Sequence, residues 1–374
     1  MRIVIIQPYA PDEQRSMLRF GAGLEQGLRK AGVTVSSVAP AVVFGRLGRC
    51  GSAMRKWAGY VDKYVLFRPK LRRARRAADV VHVIDQGSAM YVNVLDPART
   101  LVTVHDLFAV ETMLGRIPNR RLGHSGQAQQ RWILSGLRRA RHFTAVSEAT
   151  AKAMCDVLGP GTAVAVIPNA LDPTYRPADA QAVAAVRAAA GVPAGAGYFV
   201  HVGGNSFYKN RPGVVALFDA LVRAGDASGD WLVLAGRPPD DELLSAITAA
   251  GAGAQIAILP EPSDAQLVAL YTGARALLFP SRMEGFGWPI IEAQACGCPV
   301  VTTDRDPMRS VAGNAAILVP PDDPAAGAAD VAAGLRDDAA LRAAGTVNAA
   351  AYASDAIYAH YRDVYRAVIA ASNS

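Results

Sequence analysis

Short apolar runs alternate with longer segments of helical periodicity along most of this 374-residue chain. Runs such as Arg2–Ile6, Thr100–Val104 and Trp231–Ala235 are almost continuously apolar and rich in β-branched residues, which is typical of parallel strands buried on both faces. The segments between such runs, for example Met17–Lys30 and Asp240–Ala250, are long enough to form helices. This alternation predicts an α/β fold built on parallel sheets.

The strand pattern pauses once, in the Pro- and Ala-rich segment Pro173–Ala194, and restarts at Tyr198–Val202. We therefore predict two doubly wound, Rossmann-like domains, residues 1–176 and 177–354. Residues 355–374 form a further amphipathic helix in this prediction. A content of 51% apolar and 19% charged residues is compatible with two buried cores of ordinary size.

The two halves of the chain differ sharply in charge. Residues 1–176 contain 26 Lys+Arg and 12 Asp+Glu, a net charge of +14, whereas residues 177–374 contain 13 and 20, a net charge of −7. Eleven of the basic residues lie in Arg46–Arg76, where Asp62 is the one acid. Apolar residues recur there at helical spacing: Trp57, Tyr60, Tyr64, Phe67 and Leu71.

Two interpretations fit this basic segment. One is binding to an anionic membrane surface, and the other is a solvated face whose aromatic residues pack into the domain. We expect no nucleic-acid partner, because no recognition motif accompanies the charge.

Cysteine content and apolar run length favour a cytoplasmic protein, with peripheral attachment at the inner face of the plasma membrane under the membrane interpretation. The four cysteines, Cys50, Cys155, Cys296 and Cys298, are scattered and are predicted to be reduced structural thiols. The apolar start of the chain is too short for a signal peptide, and no apolar run is long enough to span a bilayer.

The segment after the strand Ala276–Phe279 carries the most informative chemistry. A glycine turn, Glu284-Gly-Phe-Gly287, precedes a predicted helix that contains Glu292, and Pro299–Thr302 gives the next strand. Free amides at a glycine turn and a helix start attract an anion, whereas carboxylates suit hydroxyl groups. This combination favours a sugar attached to a diphosphate.

A second loop of the same type follows Tyr198–Val202. It is rich in small and polar residues and contains the cations Lys209 and Arg211 immediately before a predicted helix. Cations beside a glycine loop at a helix start suit a diphosphate.

Glu284 and Glu292, with the Gly-Phe-Gly turn and the later Ala-Cys-Gly-Cys-Pro-Val run, resemble the Glu-x7-Glu motif of retaining glycosyltransferases of family 4. That family has the GT-B fold, in which two Rossmann-like domains face a cleft and the last helix crosses back to the N-terminal domain. The resemblance implies transfer of a sugar from a nucleotide-diphosphate donor, without a cofactor and without a required metal ion.

The resemblance also implies roles for individual residues. Lys209 and Arg211 would hold the diphosphate, Glu292 the ribose hydroxyls and Glu284 the transferred sugar. His105, in the context Thr-Val-His-Asp-Leu, would lie beside that sugar, so the implied catalytic residues are His105, Glu284 and Lys209. The remaining implied donor-binding residues are Gly204, Asn205, Arg237, Glu261, Gly285, Phe286 and Gly287.

The sequence departs from the family pattern at several positions. The glycine loop expected after the first strand is replaced by a segment with Tyr9, Pro11 and Asp12. Asn205 stands where a basic residue is usual, and Arg309-Ser-Val-Ala-Gly313 replaces the usual Pro-Glu-Val-Ala-Gly. The first of these departures affects the acceptor side of the predicted site.

On this basis we expect a hexosyltransferase, with GDP-mannose the first donor to consider and bacterial surface polysaccharide synthesis the setting. The expected acceptor is a growing glycan or a polyprenyl-diphosphate-linked sugar. Two alternatives are a nucleotide-sugar epimerase of the same fold and a non-catalytic nucleotide-sugar-binding protein.

Overall fold

The computed structural model describes residues 1–12, 14–46 and 52–373. Arg49 and Cys50, which belong to the basic-segment and thiol predictions, lie outside these residues. The chain divides into two compact units, Met1–Ala170 with Ser354–Ser374 as unit 1 and Leu171–Ala353 as unit 2. The chain thus leaves unit 1 slightly before the predicted boundary at residue 176.

Unit 1 contains a six-stranded parallel sheet of order β2-β1-β3-β4-β5-β6. Its strands are β1 (Arg2–Ile6), β2 (Thr34–Val38), β3 (Val80–Val83), β4 (Thr100–Val104), β5 (His142–Ala145) and β6 (Ala165–Val166). Its first six helices are α1 (Arg15–Lys30), α2 (Ser52–Val61), α3 (Arg68–Ala77), α4 (Phe108–Met113), α5 (His124–Arg139) and α6 (Glu148–Leu158). A π-helical turn, Asp62–Leu66, separates α2 from α3.

Unit 2 repeats the plan with the sheet order β12-β11-β10-β7-β8-β9, again with all neighbours parallel. Its strands are β7 (Tyr198–Gly203), β8 (Trp231–Gly236), β9 (Ile256–Pro260), β10 (Ala276–Phe279), β11 (Val300–Thr303) and β12 (Ile317–Val319). Its helices are α7 (Ala180–Ala189), α8 (Arg211–Ala224), α9 (Asp241–Ala249), α10 (Asp264–Gly273), α11 (Trp288–Ala295), α12 (Met308–Ala312), α13 (Pro324–Gly334) and α14 (Asp338–Ala350).

The last helix, α15 (Ser354–Asn373), belongs to unit 1. Its Tyr365 hydroxyl lies 2.7 Å from Nδ1 of the fully buried His82 in β3, whose Nε2 lies 2.7 Å from the Thr103 hydroxyl in β4. Tyr358 of the same helix covers Gly27 of α1, where an added Cβ would lie 1.8 Å from the tyrosine ring. A buried polar chain and a glycine contact therefore fix α15 against the sheet and α1.

The two parallel sheets confirm the predicted α/β fold and place each unit's ligand-facing edge. In an open α/β sheet, ligands bind beyond the carboxyl ends of the strands, where the strand order reverses. This switch point lies between β1 and β3 in unit 1, and between β7 and β10 in unit 2.

Candidate functional site

The loops that follow β7 and β10 meet through an ion pair. Lys209 Nζ lies 2.7 Å and 3.0 Å from the two carboxylate oxygens of Glu284, and the two side chains are 20% and 8% exposed. The ammonium also lies 5.1 Å from the ring centre of Phe279, the last residue of β10. Two residues that the sequence predicts at one site are thus in contact at the switch point of unit 2.

The turn that follows Glu284 needs glycine at its last position. Gly287 has a φ of 102°, which side-chain-bearing residues rarely adopt, and it directly precedes α11. Phe286 is 4% exposed, and its ring packs edge-on against Trp288 and Tyr352. The side chain of Phe286 therefore supports the turn from the core, while Gly285 carries no side chain to obstruct an approaching ligand.

Glu292 lies on the second turn of α11 and is 3% exposed. The Tyr271 hydroxyl of α10 donates to Glu292 Oε2 at 3.3 Å. The carboxylate is therefore oriented by α10, through contacts separate from the Lys209–Glu284 pair.

A third group of predicted residues forms a connected hydrogen-bond network after β7 and β8. Arg211 is 2% exposed, and its Nη1 donates to Asn205 Oδ1 and, at 2.9 Å, to the carbonyl of Arg237. Asn205 Nδ2 donates to the Pro238 carbonyl at 2.8 Å. Arg211 thus provides positive charge beneath the loop and holds Asn205 in place.

The remaining predicted positions in unit 2 lie at the ends of β7, β8 and β9. The N–H of Glu261 donates to the Gly236 carbonyl at 2.7 Å with a φ of 47° at Glu261. Gly236 has a φ of 133°, and an added Cβ there would lie 2.2 Å from the Gly203 carbonyl oxygen. Gly204 lies beside Arg237, whose Cγ would be 3.8 Å from an added Cβ.

Asn210 is a structural residue of this site that the sequence prediction missed. It has a left-handed φ of 54° immediately before α8, is 1% exposed, and its Nδ2 donates to the carbonyls of Pro280 at 3.1 Å and Pro321 at 3.0 Å. It therefore ties the loop after β7 to the chain beyond β10 and β12. The signal in the sequence was an asparagine just before a helix that starts with Arg-Pro, since asparagine tolerates the left-handed conformation.

Two further buried groups lie next to the ion pair. His201 of β7 donates through Nδ1 to the Leu278 carbonyl at 2.8 Å, and burial, with Arg211 and Lys209 adding to it, lowers its pKa to about 3. Among the described residues no partner is found for His201 Nε2 or for the buried Oγ of Ser281, which follows β10. The histidine is therefore neutral at pH 7 and adds no charge to the site.

His105 lies in unit 1, directly after β4. It is 5% exposed, its Nε2 donates to the Ile84 carbonyl at 3.0 Å, and Phe20 packs edge-on against its ring at 4.8 Å. Burial lowers the pKa of His105 to about 4, so the ring is neutral at pH 7. Gln86 Oε1 accepts from the His105 backbone N–H at 2.9 Å.

A cavity of about 220 Å³ lies within unit 1 at its switch point. Tyr9, after β1, and Asp85, after β3, contribute to its walls, and Asp106 adds a carboxylate from the end of β4. Lys63 and Tyr64 of the π-helical turn lie along another wall. The π-helical turn of the basic segment therefore faces this cavity.

For Tyr64, Phe67 and Leu71 of the basic segment, the structure agrees with the interpretation in which these side chains pack into the domain. Phe67 and Leu71 are 1% and 0% exposed and belong to the core, and Tyr64 packs against Trp132 at a ring distance of 4.6 Å. Tyr60 is half-buried and packs against Tyr64. Helical spacing alone could not distinguish this packing from an outward apolar face, because both place residues on one side of a helix.

Other apolar residues of this region are exposed to solvent. Half of the large hydrophobic side chains that are exposed in the described chain lie between positions 43 and 66. They are Val43, Phe44, Trp57, Val61, Val65 and Leu66. The Asp62 carboxylate, itself fully buried, holds part of this surface by accepting from the Tyr9 hydroxyl at 2.7 Å and from the N–H groups of Val43, Phe44 and Gly45 at 3.0 Å.

Two family models match nearly consecutive stretches of the chain. Residues 22–175 match the model described as Glycosyltransferase Family 4, and residues 184–351 match the model described as Glycosyl transferases group 1. The chain belongs to the family 4 glycosyltransferases. Its resemblance to this transferase family is thereby confirmed.

A relative of this family 4 glycosyltransferase is similar to it over only part of the chain. The O-antigen chain mannosyltransferase B of Escherichia coli is 31% identical over 143 residues, which is 38% of this chain and 38% of that protein. The chain thus matches this relative over well under half of its length.

Two solved structures show the same fold across nearly the whole chain. A sucrose-phosphate synthase from Thermosynechococcus elongatus has a TM-score of 0.76 at 18% identity, covering 99% of this chain and all of that one. HepE from Anabaena, in complex with UDP-glucose, has a TM-score of 0.66 at 17% identity, covering 98% of each chain. At these identities the likeness concerns the fold alone.

In the described part of this family 4 glycosyltransferase, none of the helices is both long and apolar enough to cross a bilayer.

Cys155, Cys296 and Cys298 are free thiols, and burial raises the pKa of Cys298 to about 12.

Proposed function

We propose that this chain transfers a hexose from a nucleotide-diphosphate donor to a hydroxyl group of a glycan or lipid-linked acceptor, with retention at the anomeric carbon. The observation that carries the proposal is the Lys209–Glu284 pair beside the Gly285–Gly287 turn at the switch point of unit 2. It combines a cation and the backbone amides of a glycine turn for a diphosphate with a carboxylate for sugar hydroxyls.

In this proposal the bond between the anomeric carbon and the donor's phosphate oxygen breaks, and the acceptor oxygen bonds to the same face. The proton of the acceptor hydroxyl passes to the departing diphosphate. Lys209 stabilises the charge that develops on the diphosphate, which is the type of interaction that lowers a transition state most. Glu284 binds the transferred sugar and Glu292 the ribose hydroxyls.

The neutral His105 is proposed to contact the transferred sugar from unit 1. Its Nε2 donates to Ile84, so the protein fixes the tautomer and the ring orientation. Arg211, Asn205, Gly204, Arg237 and Glu261 are proposed to support or line the donor site, with Arg211 acting from beneath. No metal ion is part of this proposal, because Lys209 and the amides supply the positive charge.

GDP-mannose is the first donor to test, since a relative of this chain is an O-antigen mannosyltransferase, and UDP-glucose is the second, since a protein of the same fold binds it. Purified protein would be given each donor with and without a polyprenyl-diphosphate-linked glycan. We expect nucleoside diphosphate release that depends on acceptor and persists in EDTA, and an α-linked product from an α-linked donor. Donor epimerisation without acceptor, or binding without release, would refute transfer and favour the epimerase or the binding protein.

We also propose that the basic segment attaches unit 1 to an anionic membrane surface, where a lipid-linked acceptor would be presented. Exposed apolar side chains precede a strongly basic helix in the chain. Trp57 is 67% exposed and Val65 59%, and α3 presents Arg72, Arg73, Arg75 and Arg76 to solvent. Apolar insertion and attraction to anionic lipids are the two contributions that surface-bound helices use.

A further inference from the structure

The cavity of unit 1 lies where an α/β unit places its ligand, and its chemistry differs from that of a phosphate site. It lies beyond the carboxyl ends of β1, β3 and β4, at the point where the strand order reverses. Its polar lining includes three carboxylates, those of Asp12, Asp85 and Asp106. The remaining polar side chains of the lining are uncharged amides, phenols and one hydroxyl group, apart from the ammonium group of Lys63.

Lys63 does not make this cavity attractive to anions. Its Nζ lies 2.8 Å and 3.2 Å from the two carboxylate oxygens of Asp12, so its charge is already paired. It also lies over the rings of Tyr9 and Tyr60, at 5.4 Å from each ring centre. Of the described residues that line the cavity, Lys63 is the one cation, and the lining therefore carries an excess of negative charge.

Asp85 gives that negative charge a fixed position. It is 5% exposed, and the Gly87 N–H donates to its Oδ1 at 3.0 Å, which orients the carboxyl group. Burial raises its pKa to about 6, so the group is mostly ionised at neutral pH. A buried carboxylate accepts strong hydrogen bonds from hydroxyl groups and repels a phosphate.

The volume restricts the ligand further. About 220 Å³ is below the range of roughly 300–1,000 Å³ that drug-sized ligands occupy. A single sugar ring fits this volume better than an oligosaccharide would. Its hydroxyl groups can donate to the hydrogen-bond acceptors of the lining.

We infer that this cavity binds the acceptor as a single uncharged, hydroxyl-rich sugar ring and rejects a phosphorylated one. The inference rests on the proposed transfer function and adds the class of acceptor. The preference for the uncharged sugar over the phosphorylated one is assigned to Asp85 and Asp106, which are proposed as specificity-determining residues. Any acceptor diphosphate must then lie outside this cavity.

Binding of two matched sugars tests the inference without turnover. Methyl α-mannoside and its 6-phosphate would be titrated by saturation-transfer NMR into protein that holds excess nucleoside diphosphate, which keeps the sugars out of the donor site. We expect the neutral sugar to bind at least tenfold more tightly. In the Asp85→Asn/Asp106→Asn variant the difference should fall to about twofold, whereas Asp156→Asn, at an exposed position of α6, should leave it unchanged.

A second variant covers the case in which the double substitution fails to fold. Asp106→Asn alone should bring the difference between the two sugars to a value between that of wild type and that of the double variant. Equal or tighter binding of the phosphorylated sugar by wild type, no binding of the neutral sugar, or an unchanged difference in Asp106→Asn would each overturn the inference. Failure of the proposed transfer would appear separately, as absence of acceptor-dependent diphosphate release.

Discussion

Lys209 Nζ lies 2.7 Å from Glu284 Oε1, and the two residues come from loops that follow neighbouring strands, β7 and β10. Their charges offset each other, and a diphosphate would add a second anionic partner for the lysine. With both side chains largely buried, the strength of this pair exceeds that of a surface ion pair. Under the proposed function, the pair would therefore couple donor binding to the position of the Glu284 carboxylate.

Replacing Lys209 by alanine should weaken donor binding. The loss of one charge-assisted contact costs about 1.5–3 kcal/mol, which corresponds to a roughly 10- to 150-fold higher Kd. Calorimetric titration with donor measures it, and Lys152→Ala, an exposed lysine in α6, is the matched control. Equal donor affinity in wild type and Lys209→Ala would remove the lysine from the site.

The two motif glutamates should differ in which kinetic constant they affect. Glu292→Gln should chiefly raise the KM for donor, because ribose is held alike before and during the reaction, and Tyr271→Phe should do so more weakly by removing the hydroxyl that orients Glu292. Glu284→Gln should chiefly lower kcat, because its partner sugar changes during the reaction. Steady-state kinetics with saturating acceptor separates the two, and the opposite pattern would mean that their roles are exchanged.

Asn210→Asp should destabilise unit 2, although aspartate tolerates the same backbone conformation. The substitution removes both N–H donors and leaves the Pro280 and Pro321 carbonyls without them. Each such loss costs about 1–3 kcal/mol, so for the two bonds together the free energy of unfolding should fall by about 2–6 kcal/mol. Urea denaturation measures this, and Asn119→Asp, at an exposed left-handed position with a φ of 58°, should change it little.

Three buried histidines should make the fold acid-sensitive. The pKa values of His82, His105 and His201 are lowered to about 3, 4 and 3 by burial, against an ordinary value of about 6.5. Between pH 6.5 and 4 the unfolded chain therefore binds more protons than the folded one, and stability falls as pH falls. Asp85, with its raised pKa, partly offsets this below pH 6.

The contribution of one histidine can be isolated with His201→Gln, whose amide can still donate to the Leu278 carbonyl. Below pH 6 the variant should lose up to about 1.4 kcal/mol less stability per pH unit than wild type. Urea denaturation at pH 7, 6 and 5 checks the slope. Parallel slopes for the two proteins would show that His201 is protonated in the folded state as well.

The sequence predicted the strands and the loops that carry the chemistry, because each is a local pattern. Lys209 and Glu284 could be assigned to one site, since both follow strands and carboxyl ends share one edge of a sheet. The role of Asn210 could not be predicted, because its two acceptors lie far along the chain and only the folded sheet brings them near. The sequence could not decide whether Phe67 and Leu71 face the core or the outside, since periodicity gives a helix face but not its direction.

The membrane proposal depends on charge and on exposed apolar side chains, and each can be removed separately. Each Lys or Arg near an anionic surface contributes about 1 kcal/mol. Replacing the four exposed arginines Arg72, Arg73, Arg75 and Arg76 by glutamine should therefore release the protein from anionic vesicles in a sedimentation assay. Trp57→Ala should weaken binding less and in a manner insensitive to salt, because it removes apolar insertion only.

A matched control keeps the number of charges lost the same. Four other exposed arginines of unit 1 can be replaced by glutamine: Arg131, Arg138, Arg139 and Arg141. If attachment occurs through α3 and the turn before it, this control should still sediment with anionic vesicles. If instead the vesicles are attracted diffusely to the net +14 charge of residues 1–176, the two variants should lose vesicle binding alike. Wild-type binding should fall steeply between low and physiological salt, since the Debye length shortens to about 8 Å. Failure of the wild type to sediment with anionic vesicles at low salt would leave a soluble glycan as the acceptor to pursue.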